Sequence, residues 1–339
     1  MNRKLTIEGF DQVLAQLGRD HRLLGPRRFA GRGACSDSDI TGYGEIAALA
    51  DLHLDSKTHF SPKECLFPIR ETLFHFHGQE TSPAAFDERP VILFLRPCDI
   101  NGVHRLDTIF LGNGSEPDFY YARRRSRVKF FLIECREGFG SCFCVSMCAN
   151  QTDDYACALR FEPDGVRIEI KDPAFGPVFE SGEPVASFLE FVHANRLQVS
   201  LPDPEKTDIE AVSQHPLWQE YTSRCIACGR CNTSCVTCSC FTMQDVVYGR
   251  DGALGERRRI WAGCHIDGFT DMAGGHAFRQ KNGDRMRFKV MHKISDFHRR
   301  FGHHMCVGCG RCDDVCPEYI SFSSCINRLG SVTSEADHG

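Results

Sequence analysis

No stretch of the 339 residues approaches the roughly 18 uninterrupted apolar residues of a membrane span. The opening, MNRKLTIEGFDQVLAQ, is charged and amphipathic and has no apolar core of a secretory leader. These two absences predict a cytoplasmic chain. One-sided charge is missing as well. Lys and Arg total 40 against 45 Asp and Glu, a net charge of -5, which gives no electrostatic reason to expect nucleic acid as a partner. Neither G-x-G-x-x-G nor G-x-x-x-x-G-K-[ST] occurs, so a nicotinamide or nucleotide site on this chain is not supported. The glycines of GRGACSDSDITGYGEI fit neither spacing and read as a turn.

What the chain has in quantity is cysteine, 20 residues in all. In a reducing compartment a disulfide framework is not expected, and clustered thiols are more often metal ligands or redox groups. Cys225, Cys228, Cys231 and Cys235 follow the spacing C-x2-C-x2-C-x3-C. The same spacing returns as Cys306, Cys309, Cys312 and Cys316, followed by Pro317. This is the ferredoxin run for [4Fe-4S] clusters, in which three close cysteines wrap one cluster and the fourth reaches the other. The expected ligands are therefore Cys225, Cys228, Cys231 and Cys316 for cluster one, and Cys306, Cys309, Cys312 and Cys235 for cluster two. Gly229 and Gly310 suit a backbone that turns tightly around a cluster. Val236 stands where proline is common, which removes no ligand. Zinc is the competing reading, but structural zinc sites use two separated C-x-x-C pairs, not two complete four-cysteine runs.

About 70 residues separate the runs. Within them, DRMRFKVMHKISDFHRRFG places Val290, Met291, Ile294, Phe297 and Phe301 at helical spacing, with lysines, arginines and His298 on other faces and Gly302 at the end. Earlier in the chain, TIEGFDQVLAQLGRD reads as a helix buried through Phe10, Val13, Leu14 and Leu17. PVILFLRP and RVKFFLIEC read as buried strands, and YACALRFEPDGVRIEI as a hairpin around Pro-Asp-Gly. SFLEFVHANR reads as a helix, and LPDPEKTD as a linker. The predicted fold is α+β: an N-terminal α/β domain (1–203), a helical ferredoxin-like domain with two [4Fe-4S] clusters and a long insert (204–330), and a disordered tail (331–339). Cys98, Cys135, Cys142 and Cys144 fall at strand ends, where ligand sites of α/β sheets form. They are candidates for a third cluster, with buried thiols the alternative.

RPCDINGV, IECREGFGSCFCVSM, CIACGRC, WAGCHIDGFTDMAGGHAFR and HHMCVGCGRCDDVCPEYI together resemble the iron–sulfur subunits of anaerobic sulfite reductases, a family related to the β subunits of cytoplasmic sulfhydrogenases. The resemblance runs from about Leu66 to Leu329. It implies an electron-transport subunit of an oxidoreductase, inactive alone. Its implied partners are a flavin- and NADH-binding protein and a sirohaem-bearing protein of the same complex, the latter reducing sulfite to sulfide. The family's cluster cysteines map onto the eight named above, and the shared RPCD and CFC elements favour the third cluster. Cys148 departs from the related pattern and is left out of that ligand set. Cys238, Cys240 and Cys264 match family positions as alternative ligands or as packing thiols.

Two other functions compete with this one: the β subunit of a cytoplasmic hydrogenase or sulfhydrogenase, and a zinc-stabilised interaction module. The runs Arg123–Arg125 and Arg257–Arg259 read as solvated surface or as a docking patch. His303 and His304 read as packing residues or as donors to a cluster. Asp99 reads as a loop-orienting residue.

Overall fold

The computed structural model describes residues 1–33, 37–203, 207–250 and 252–335. Strand β1 (Asn2–Leu5) leads into helix α1 (Ile7–Asp20), whose Phe10, Val13, Leu14 and Leu17 are buried as the spacing predicts. Thr6 caps the helix, its hydroxyl accepting the Gly9 N–H at 3.1 Å. Strands β2 (Arg22–Phe29) and β3 (Ile40–Glu45) pair antiparallel, as do β4 (Arg70–His77) and β5 (Glu80–Pro83). The first predicted strand is β6 (Val91–Leu95). Pro97 opens helix α2 (Pro97–Phe110), where its missing N–H would have had no helical partner. Helix α3 (Phe119–Arg125) precedes the second predicted strand, β7 (Val128–Ile133). The expected hairpin is β8 (Cys157–Glu162) and β9 (Gly165–Ile170), joined at Pro163–Asp164, and β10 (Glu183–Pro184) follows.

These strands build a mixed sheet in the order β10-β1-β9-β8-β7-β6-β2-β3, with β2, β6, β7 and β8 parallel. Ile92 and Phe94 pack in the core under α1, while Leu93 and Leu95 pack in the core under α2 and α3. Strand β6 is thus buried on both faces, which is why it reads as an unbroken apolar run.

SFLEFVHANR is not helical. Phe191 makes an isolated parallel bridge with Cys135, and the backbone on either side is taken by tertiary partners. Glu134 Oε1 accepts the Glu190 N–H at 2.8 Å, and Asn150 Nδ2 donates to the Val192 carbonyl at 2.8 Å. Those bonds hold the segment extended as a strap, against its local helical pattern.

The C-terminal region begins with helices α4 (Ile209–Gln214), α5 (Leu217–Arg224) and α6 (Arg230–Thr233). Of the linker LPDPEKTD, residues 204–206 lie outside the described residues. The insert then forms strands β11 (Phe241–Val247) and β12 (Leu254–Trp261), which extend the β4–β5 pair into a second sheet, β11-β12-β4-β5. This sheet crosses the expected boundary at residue 203. A register shift between Arg257 and Arg258 turns the strand over. The Arg257 side chain stays 46% exposed on Asp245, whereas Arg259 is 1% exposed between Glu71 and Asp118, each at 2.7 Å. Arg259 is a buried strut, and Arg124 and Arg125 are likewise paired, with Glu71 and Asp107.

The predicted insert helix is α7 (Asn282–Met291), a π-helical turn (His292–Asp296) and α8 (Phe297–Phe301), closed by Gly302 at φ 75°. Lys289 and Lys293, expected on faces other than the apolar stripe, are buried as well. Helices α9 (Arg311–Asp314) and α10 (Phe322–Glu335) complete the chain. Helix α10 runs through the first half of the stretch expected as a tail, and residues 336–339 lie outside the described residues.

Candidate iron–sulfur centre

The two cysteine runs adopt one shape twice. Ala227 and Gly229 have φ of 55° and 71°, Gly308 and Gly310 have 65° and 71°, and each second glycine caps a one-turn helix that carries the third cysteine. The two runs thus share one left-handed loop shape. Only the second run requires glycine at its first left-handed position. A Cβ on Gly308 would lie 2.5 Å from the Phe143 carbonyl oxygen, because this loop is pressed onto the Ser141–Cys144 loop of the N-terminal region.

Cys225, Cys228, Cys231 and Cys316 line one cavity with Cys312, His265, Met286, Lys289 and Phe322. The Cys225 thiol is pushed up by burial, and the neighbouring sulfurs of Cys231, Cys228 and Cys316 add to it. Cys306, Cys309, Cys312 and Cys235 form the second neighbourhood. Burial pushes Cys306 up to about 12, opposed by the Gly308 N–H, which donates to its Sγ at 3.4 Å, while Cys235 and Cys309 reinforce the shift. Cys309 and Cys312 are raised by burial too, with Cys235 among the charges acting on both. Cys235 moves the other way. A hydrogen bond from Cys238 holds it well below the ordinary thiol range against burial, with help from the Lys293 ammonium at 3.5 Å. The fourth cysteine of each run therefore sits among the first three of the other.

Among the described residues, no three His, Cys, Asp or Glu side chains close tightly enough to hold a single metal ion. Mainly sulfur donors, with His265 Nδ1 3.6 Å from Cys225 Sγ, a mostly apolar lining and buried cations nearby fit an anionic cluster carried by thiolates.

The four further candidates also come together. Cys98 lies in the first turn of α2, and Cys135 follows β7, so both stand at carboxyl ends of neighbouring parallel strands. Cys144 is pushed up to about 12 by burial, with Cys142 and Cys135 adding to it. Cys98 is raised by burial and Asp99, with Cys144 and Cys309 contributing. Asn195, on the strap, accepts from the Val145 N–H at 2.8 Å and faces Cys144 Sγ at 3.6 Å. Cys142 Sγ lies 3.7 Å from the Cys309 carbonyl, which brings this group against the second run. Cys148 stands apart, exposed and at φ 51°. Cys238 and Cys264 pack on the Asn232 amide at 3.6 and 3.4 Å, with Cys240 beside Cys264.

Several residues around the sulfurs were not singled out in the sequence. Arg311 occupies the same place in the second run as Arg230 in the first. Arg230 is exposed, but Arg311 is buried and forks onto Asp99 at 2.5 and 2.9 Å. Asp99 is fully buried and also accepts from Tyr43 at 3.2 Å, so it ties the Cys98 turn to the second run. Lys57 links Asp314 to Ser141, and Lys63 donates to the carbonyls of Asn232 and Cys238 at 3.2 and 3.0 Å. The repeat itself carried the one usable signal, since it aligns Arg230 with Arg311; burial separates their roles. His303 and His304 are held below the ordinary histidine range, mainly by burial, and His304 Nδ1 bonds the Ile294 carbonyl, so both pack as neutral rings.

A 4Fe-4S dicluster domain model matches residues 224–320. The chain is 30% identical to sulfhydrogenase 2 subunit beta of Pyrococcus furiosus over 340 residues, an alignment covering 96% of this chain and 97% of that relative. The molecule thus has an N-terminal mixed α/β region followed by a dicluster-type region, and no helix among the described residues is long and apolar enough to cross a membrane.

Proposed function

Because the chain belongs to the sulfhydrogenase subunit beta family, we propose that it is the electron-carrying β subunit of a sulfhydrogenase-type complex, with two crossed [4Fe-4S] clusters on the ligands assigned from spacing. One observation carries the ligation: Cys316 shares a cavity with Cys225, Cys228 and Cys231, while the Cys235 charge acts on Cys306, Cys309 and Cys312. Such clusters carry single electrons at potentials set by charge, hydrogen bonds and burial. The chain's own residues fix the sulfurs, exclude water from the second site and hold cations beside both. Four cysteines fill each cluster, so substrate chemistry belongs on another protein of the complex.

A third cluster on Cys98, Cys135, Cys142 and Cys144 extends the reading, supported by their convergence beside Cys309. Anaerobically loaded protein should carry about twelve irons with it and about eight without it. Cys316→Ser should disturb the cluster built on Cys225–Cys231, and Cys235→Ser the one built on Cys306–Cys312. Perturbation of only the cluster nearest in sequence would refute the crossing. Zinc without acid-labile sulfide would return the chain to the interaction-module reading.

A role beside flavin and sirohaem proteins in sulfite reduction is the second reading, favoured by the close match of the Cys306–Ile320 segment. The two are separated by what co-purifies from the native source: a hydrogen-activating protein, or one with the sirohaem spectrum.

A further inference from the structure

Lys289 and Lys293 are each 3% exposed, and among the described residues neither forms an ion pair with a carboxylate. An ammonium buried this way costs several kcal/mol unless a counter-charge meets it. The groups that meet these two are cysteine sulfurs. Lys293 Nζ lies 3.5 Å from Cys235 Sγ and 2.8 Å from Thr237 Oγ1. Lys289 lines the cavity of Cys225, Cys228, Cys231 and Cys316, with Cys312 on the same wall.

The helix places them by spacing. Residues four apart share a helix face. The π-helical turn that starts after Met291 leaves the Lys293 carbonyl free to accept from Met305 at 2.9 Å and from Cys306 at 3.3 Å. A π-turn inside an α-helix often marks a functional position. Here one residue fastens the second run through its carbonyl and faces a sulfur of the same neighbourhood through its ammonium.

We propose that Lys289 and Lys293 are the charge-compensating residues of the dicluster, Lys293 acting on cluster two alone and Lys289 standing between both clusters. The proposal rests on the cluster assignment above. Reduction adds one electron to a centre already bound by four thiolates, so a fixed positive charge favours the reduced form and raises the midpoint potential. The lysines are positioning residues: they touch ligand sulfurs, and the electron passes without a bond made or broken.

The test is an EPR-monitored redox titration of the full-length, cluster-loaded protein. Lys293→Met should lower the midpoint potential of cluster two by at least a tenfold shift in the reduced-to-oxidised ratio, about 59 mV for a one-electron couple, and leave that of cluster one in place. Lys289→Met should lower both. Lys289→Arg and Lys293→Arg keep the charge and should stay near the native values. Should the methionine variants fail to load, Lys289→Gln and Lys293→Gln read the same loss of charge in a polar side chain. Unmoved potentials in variants with native iron content overturn the proposal, as does an arginine variant that shifts as far as methionine. Native protein lacking iron and sulfide would sink the cluster assignment itself, which is a separate result.

Discussion

Asp99 and Arg311 form a buried, bidentate ion pair between the turn holding Cys98 and the loop holding Cys309 and Cys312. Replacing both partners by apolar groups is often nearly neutral, but removing one strands the other charge in the interior. Asp99→Ala should therefore destabilise the chain by roughly 3–5 kcal/mol, while Asp99→Leu combined with Arg311→Met should recover much of the loss. Urea unfolding of the single and double variants checks this; equal losses in both would show that the pair's charges are not what matters. The sequence exposed half of this arrangement. It marked Asp99 as an orienting residue but not its partner, because an arginine between two cysteines of a run looks the same at Arg230, where it faces solvent. The same limit hid the glycine requirement. Ala227 and Gly308 share a left-handed backbone, and only the approach of Phe143 makes a side chain impossible at the second position.

At the level of elements, legibility followed how local the determinants are. Helix α1, strands β6 and β7 and the β8–β9 hairpin follow from periodicity, capping and turn residues that lie within each segment. Strand β12 does not, since its partner β4 lies more than 150 residues away in sequence and a bulge hides the alternation, and β11 joins the sheet only through β12. The strap through Asn195 failed for the same reason: its backbone bonds go to Glu134 and Asn150. Through Asn195 the strap bonds the Cys144–Val145 loop, so its role can be probed there. Asn195→Ala removes the acceptor for the Val145 N–H and the partner of Cys144. If the proposed third cluster is bound, iron should fall from about twelve to about eight per chain, by the loss of one cubane, with the signals of the two-cluster pair retained. A loss of all iron would mean that the strap holds the whole molecule and not this loop.

The whole molecule was expected to divide at residue 203, and its contacts run across that point. Strand β12 pairs with β4, Trp261 Nε1 donates to the Phe67 carbonyl at 2.9 Å, and Lys63 reaches under Asn232 and Cys238. Phe143, Met147 and Val199 share one apolar core with Trp218, Val290 and Ile326. Separate folding units require a boundary that few contacts cross, and here a sheet, a core and a buried ion pair all cross it. The two tryptophans report on different places: Trp218 lies in the apolar core that both regions share, and Trp261 in the sheet that joins them. In urea, the fluorescence of Trp218→Phe, that of Trp261→Phe and the visible absorbance of the loaded clusters should change at one midpoint, the mark of a single cooperative unit. Midpoints that separate, with Trp218 losing its structure while Trp261 keeps its own, would restore the two-domain division and make the crossing sheet a docking contact between independently stable parts.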